Sequence, residues 1–311
     1  MTVTRRQFLT VSSALLASGA LSPLRLGAQA APAAPVTKFQ DLRRSAGIFT
    51  GRGGTIGWLI TPDNTVVVDS QYPDTAKICL DGLKSRASHP IDFLLNTHHH
   101  VDHTAGNGVF RPAVGRIVAQ RGEPALQRAA AAQAHTLPEQ VYPDMTFSTN
   151  WKMVLATETV SATYHGPAHT GADIVVRFED AGVVHMGDLV WNHLHPFIDR
   201  PAGASVVNWV KVLEAVLNED PADTVYIFGH GKASAGVTGH AADLRHFRDY
   251  FTAVIEYVQR GIRAGESKAE IAKLPALRGF EDYEAPAPPR VSLASVLEVT
   301  YEELTAPERP A

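Results

Sequence analysis

Along the first half of the chain the apolar positions fall into short runs that alternate or are unbroken, cut apart by polar, glycine and proline clusters. Residues 45–50, 55–61 and 65–69 are β-rich runs, and Gly51-Arg52-Gly53-Gly54 and Pro62-Asp63-Asn64 between them carry turn chemistry. Over 74–88, Ala76, Ile78, Cys79, Leu80 and Leu83 recur at helical spacing. Residues 91–96 are almost continuously apolar, which is how a strand buried on both faces reads. A short strand at 116–119 and a helix at 123–134 follow, and 136–150, with Pro138 and Pro143, reads as a loop. Strands return at 152–156, 160–164, 173–178 and 183–186, then a helix at 206–217 and a strand at 224–228. Residues 241–264, 268–274 and 292–304 carry helical patterns.

The order is β-rich then mixed, twice over, with no Pro/Gly/Ser linker and no short repeat inside it. It predicts an α/β (α+β) chain in which two similar layers of strand and helix pack face to face. Residues 45–311 then form one four-layered domain with a helical extension at its C-terminal end. Composition agrees, at 45% hydrophobic and 19% charged. A net charge of -4 without clustered Lys and Arg excludes a nucleic-acid surface. Gly51-x-Gly53-Gly54-x-x-Gly57 has neither dinucleotide-loop spacing nor a phosphate-loop Gly-Lys-Ser/Thr ending, so it reads as a hairpin turn. The single cysteine, Cys79, allows no intrachain disulfide and reads as a small buried apolar side chain.

The N-terminus reads as an address. Thr4-Arg5-Arg6-Gln7-Phe8-Leu9 sets two arginines before an apolar stretch, and Ala28-Gln29-Ala30 offers a small-x-small cleavage site. The Arg pair followed by Phe-Leu resembles a twin-arginine signal, so residues 1–30 are expected to engage that export machinery. The stretch from Phe8 to Leu21 is about 14 residues, short of the roughly 20 a membrane span needs, so cleavage is favoured over a stable anchor. Residues 31–44 then read as a flexible lead-in, and the mature protein is expected in the periplasm or outside the cell.

Histidine is the residue type whose grouping asks for a chemical reason. The chain has 14, and Thr97-His98-His99-His100-Val101-Asp102-His103 follows the apolar run 91–96 directly. Alternate residues of an extended segment point the same way, so His98 and His100 can converge on one ion while His99 points away. The chain then turns, and Asp102 and His103 can face a second ion. Imidazole is the commonest protein ligand for zinc, and a carboxylate suits zinc, iron or manganese. Four ligands on one loop do not close two sites. Three more stand at the ends of expected strands: His169 in Gly166-Pro167-Ala168-His169-Thr170-Gly171, Asp188 in Gly187-Asp188, and His230 in Gly229-His230-Gly231. Trp191, His193 and His195 lie nearby in sequence as pocket wall, supporting residues or plain loop.

This set resembles the metallo-β-lactamase superfamily, which includes glyoxalase II enzymes, lactonases and persulfide dioxygenases. The resemblance covers roughly residues 45–231, with weaker support to about 264. It implies an αββα sandwich with the metal site along one edge of the sheets. It also implies two divalent metal ions, zinc foremost with iron or manganese as alternatives. His98, His100 and His169 would hold the first, Asp102, His103 and His230 the second, and Asp188 would bridge both. The implied chemistry is attack of a bridging hydroxide on an ester, thioester, lactone or amide (β-lactam) bond of a small molecule, with Asp102 orienting the nucleophile. Within the family β-lactam hydrolysis usually goes with Cys or Ser at the position of Asp188, and lactonases tend to carry Tyr three residues later, where this chain has Trp191. The alternatives are a mono-iron dioxygenase on the same fold and a non-catalytic metal-binding accessory protein.

Overall fold

The structure is a computed structural model and describes residues 36–307. The expected export signal lies outside the described residues. Strands β1 (Lys38–Arg43), β2 (Ala46–Thr50), β3 (Ile56–Ile60) and β4 (Thr65–Val68) form an antiparallel meander. Helix α1 (Pro73–Lys84) crosses over to β5 (Ile91–Leu95), which lies parallel to β4. The one-turn helices α2 (Val101–Thr104) and α3 (Asn107–Phe110) lead to β6 (Val114–Gln120), and α4 (Glu123–Gln133) leads to β7 (Met145–Phe147), completing a seven-stranded sheet in chain order.

The second half repeats the plan. Strands β8 (Asn150–Val154), β9 (Thr159–Thr163), β10 (Val175–Phe178) and β11 (Val183–His185) form an antiparallel meander. The short β12 (Trp191–Asn192) and helix α5 (Val206–Glu219) precede β13 (Val225–Ile227), which lies parallel to β11. Strand β14 (His230–Gly231) pairs with β12, and β15 (Thr238–Gly239) closes this six-stranded sheet against β13. Helices α6 (Ala241–Ala264), α7 (Lys268–Ile271) and α8 (Leu293–Thr305) follow.

Three layers of apolar side chains separate four layers of backbone. Between the sheets, Val66, Val68, Leu95 and Val118 meet Val160, Val176, Val183 and Ile227. The intervening residues Val67, Leu94 and Ile117 face outward against Ala76, Cys79 and Leu83 of α1. On the far side, Val175, Val184 and Tyr226 meet Trp209 and Leu213 of α5, Phe247 and Phe251 of α6, and Leu297 of α8. That is why β4 and β5 read as almost continuously apolar runs: both faces of each are covered. Each such Val or Leu withdrawn from water contributes about 1.5–3 kcal/mol. The fold is thus the expected αββα sandwich, and Cys79 is one of its buried apolar side chains.

Two boundaries differ from the sequence reading. Residues 38–43 of the expected lead-in form the edge strand β1. Of its six residues only two are apolar, Phe39 packing on the outer core against Phe49 and Leu42 on the inner one, and its register with β2 slips between Asp41 and Arg43. Two apolar positions are too few to show a period-two signal. Within 136–150, expected as a loop, Met145–Phe147 forms β7, a strand too short to show a pattern.

Glu123 opens α4 at 0% exposure, and among the described residues neither carboxylate oxygen has a hydrogen-bond partner. Burial, and then the negative charge of Asp69, push its pKa up to about 8. A carboxyl whose folded pKa is raised binds its proton more tightly when folded. Its contribution is present below the ordinary value of 4.5 and is lost as pH rises through about 8. Glu123→Gln is therefore expected to unfold at a higher temperature than the parent at pH 8, with the gap closing toward pH 5. Thermal melts of both proteins across that range check it, and a gap that does not change with pH would contradict it.

Candidate metal centre

The C-terminal ends of the inner parallel strands gather at one edge of the sandwich, where a doubly wound sheet commonly places its ligands. β4 ends at Asp69, whose φ of 65° turns the chain back, and β5 ends immediately before the histidine loop. Asp69 is wholly buried and accepts from Thr97 N and Thr97 Oγ1, each at 2.7 Å, and from His103 Nδ1 at 2.7 Å. From the second sheet, His169 follows β9, Asp188 follows β11 and His230 follows β13. Asp173, also buried, accepts from Thr170 N and Thr170 Oγ1 and so fixes the turn that carries His169. Glycine is required twice here. Gly187 holds φ at 51°, and a Cβ on Gly229 would strike Asp188 Oδ1 and the Gly187 backbone.

All seven residues singled out in the sequence come together. Around one point stand His98 Nε2, His100 Nδ1 and His169 Nε2, with His100 Nδ1 3.1 Å from the first and 2.9 Å from the third. Asp188 Oδ2 is 3.4 Å from His169 Nε2 and 3.8 Å from His98 Nε2. Around a second point stand Asp102, His103 and His230. Asp102 Oδ2 lies 3.1 Å from His230 Nε2 and 3.7 Å from His103 Nε2. Asp188 reaches this group too, its Oδ1 3.0 Å from His103 Nε2 and its Oδ2 3.3 Å from His230 Nε2.

The donor set fits two divalent cations. Tetrahedral ligands on bonds of about 2.0–2.2 Å lie roughly 3.3–3.6 Å apart, which is the spacing the site approaches. His103 Nε2 and Asp188 Oδ1 are buried 3.0 Å apart yet form no hydrogen bond, the arrangement of two ligands sharing an ion. The outward nitrogens are anchored. His103 Nδ1 donates to Asp69, His169 Nδ1 to the Phe197 carbonyl at 2.8 Å, His100 Nε2 to Asp199 Oδ2 at 2.9 Å, and His98 Nδ1 to Thr97 Oγ1 at 3.0 Å. Each such bond fixes the tautomer that leaves a lone pair facing inward.

Electrostatics follow from burial and crowding. Burial, then the charge of His103, pushes His98 well below the usual imidazole range, and burial takes His169 to about 3. Burial opposes ionisation of Asp102, but His103 and His230 outweigh it and its pKa falls to about 2. Burial likewise opposes protonation of His230, but Asp188 and Asp102 outweigh it and raise it to about 9.

His99 is not in the cluster; its Nε2 lies 3.6 Å from Asp199 Oδ2. Trp191 forms a wall, its ring 4.4 Å from His230 and 6.2 Å from His169, and Phe197 lies 5.5 Å from His100. His195 is not at the site: its Nδ1 meets the Tyr250 hydroxyl at 2.9 Å. The supporting carboxylates Asp69, Asp173 and Asp199 were not found from sequence. Asp69 had a signal, since an acid closing the apolar run Val66-Val67-Val68 has no reason to be there unless it is partnered. Asp199 had none.

An αββα sandwich with a carboxylate shared between two histidine clusters at its edge defines a class. The chain belongs to the metallo-beta-lactamase superfamily, whose profile matches residues 50–230. A hydroxyacylglutathione hydrolase from Cereibacter sphaeroides is 26% identical over 162 residues, 46% of this chain and 58% of that protein. The metallo-beta-lactamase from Pontibacter korlensis superposes with a TM-score of 0.58 at 19% identity, covering 70% of this chain and 99% of that one. The stereoselective inverting sec-alkylsulfatase Pisa1 from Pseudomonas sp. superposes with a TM-score of 0.67 at 16% identity, covering 87% of this chain and 50% of that one. At these identities the structural likenesses concern the fold alone.

Asp69→Asn replaces one of the two acceptor oxygens by a donor and disturbs the His103 tautomer while keeping volume. We expect affinity for zinc to fall roughly 10–100-fold with little change in circular dichroism. Competition against a chromophoric chelator measures this, and parental affinity in the variant would contradict it.

Proposed function

We propose that the protein is an exported two-metal hydrolase acting on an ester, thioester, lactone or amide bond of a small molecule. The carrying observation is the carboxylate of Asp188, within 3.8 Å of ligand nitrogens in both clusters, which makes them two halves of one centre. A pair of divalent cations held there would activate a water and polarise the bond to be cleaved. Zinc suits the histidine-rich set best, with iron or manganese as alternatives.

The chain's own residues supply the rest. Asp102 Oδ2 faces His230 and His103, leaving Oδ1 to accept a hydrogen bond from the attacking water. Asp102 thereby orients the water for attack. Trp191 and Phe197 flank the imidazoles and exclude water from one side. Addition of water across an acyl bond then gives a carboxylate and an alcohol, thiol or amine. The hydroxyacylglutathione hydrolase relative favours a thioester, and export through the twin-arginine machinery rests on residues 1–30.

The test is metal content by elemental analysis, followed by turnover of a glutathione thioester, a lactone, a β-lactam and a secondary alkyl sulfate. About two ions per chain and hydrolysis of one panel member are expected, with Asp102→Asn lowering kcat roughly 100-fold or more and weakening retention of the second ion. His100→Ala and Asp188→Ala should lose metal and activity together. About one iron with persulfide-dependent oxygen uptake would replace this reading by the dioxygenase, and absence of any turnover would favour the accessory protein. Full activity in purified Asp102→Asn would refute the role given to that residue.

A further inference from the structure

Away from the double cluster, three elements distant in sequence bring a second kind of histidine–carboxylate group together. His193 follows β12, His246 lies on α6, and Asp282 lies on the segment between α7 and α8. One ligand atom from each can be chosen so that all lie within 4.8 Å of one another. His193 Nδ1 is 2.5 Å from Asp282 Oδ2, and the His193 and His246 rings stack with centroids 5.1 Å apart. We propose that His193, His246 and Asp282 form an accessory site for one divalent cation of the zinc type, separate from the seven-residue centre, which clamps the segment before α8 onto the loop after Asp188.

Three observations carry this. First, His246 Nε2 is buried and, among the described residues, has no hydrogen-bond partner. An imidazole nitrogen left so is costly unless something outside the protein's own donors completes it. Second, His193 holds φ at 55°, in the left-handed region that few non-glycine residues occupy. The backbone around it is fixed by the same segment: Glu284 N donates to His193 O at 3.1 Å and His195 N donates to Glu284 O at 2.9 Å. Strain of this kind persists only where the surroundings over-determine it. Third, a neighbouring cation is already engaged. Lys232 Nζ donates to the Asp282 carbonyl at 3.0 Å and pairs with Glu284 at 2.9 Å, leaving the Asp282 carboxylate to the imidazoles.

Two imidazoles and one carboxylate suit zinc or a neighbouring first-row ion, with water completing the shell. Asp282 is exposed and only three protein ligands are offered, so the site is weaker than the seven-residue centre. Its effect is mechanical. Phe280 and Tyr283 pack on His246 at 5.0 and 5.8 Å, so a cation there ties the outer aromatic cluster to the loop that begins at Trp191.

The experiment is zinc(II) titration of the full chain by chelator competition, with limited proteolysis of the segment around residue 282 at each zinc level. Parent protein is expected to bind one equivalent more, and more weakly, than Asp282→Asn and His246→Gln, and to gain protease protection in that same concentration range. Asp282 is exposed, so its variant keeps the fold. Asp188→Ala separates this site from the proposed hydrolytic centre: it should lose the tight equivalents and keep the weak one. Identical isotherms for parent, Asp282→Asn and His246→Gln would overturn the proposal, as would loss of the weak equivalent in Asp188→Ala alone.

Discussion

An ionised carboxylate at zero exposure is costly unless its lone pairs are filled, and Asp69 meets that condition in a way that organises the edge of the molecule. Its two oxygens receive the backbone and hydroxyl of Thr97 and the imidazole of His103. One side chain therefore joins the end of β4 to the start of the histidine loop and orients a ring within it. The strand ends supply position, and Asp69 converts position into a fixed direction for a lone pair. Asp173 does the corresponding work for the turn holding His169, and Asp199 for His100. The residues of the two clusters are thus held by a shell of acids.

The two sheets matter for the same reason. The first contributes His98, His100, Asp102 and His103 from one loop; the second contributes His169, Asp188 and His230 from three separate strand ends. Only a rigid inter-sheet core keeps atoms from two layers at ligand spacing. That core is built from side chains such as Val66, Leu95, Val176 and Ile227, each fully or almost fully buried. Close packing allows little adjustment, so the distances at the edge inherit the stiffness of the interior.

Much of this was legible in the residues. The buried strands β4 and β5 showed themselves because both faces are apolar, and α6 because its periodicity runs over several turns. The seven converging residues stood out through spacing on one loop and glycine neighbours at the other three. What did not show was whatever depends on partners far along the chain. β1 has only two apolar residues, β7 has three residues in all, and Asp199 is an ordinary loop acid until folding sets it beside His100. His193 and His195, grouped by sequence, part company in space: one turns to Asp282 and the other to Tyr250.

The distribution of the seven residues sets an order of events in the making of the protein. His98 leaves the ribosome early and His230 late, and the second sheet lies almost wholly between them in the chain. A fragment that ends before residue 230 already carries the whole first group, His98, His100, His169 and Asp188, and lacks one member of the second. The second group can therefore close only after translation has passed that point and after the two layers have docked.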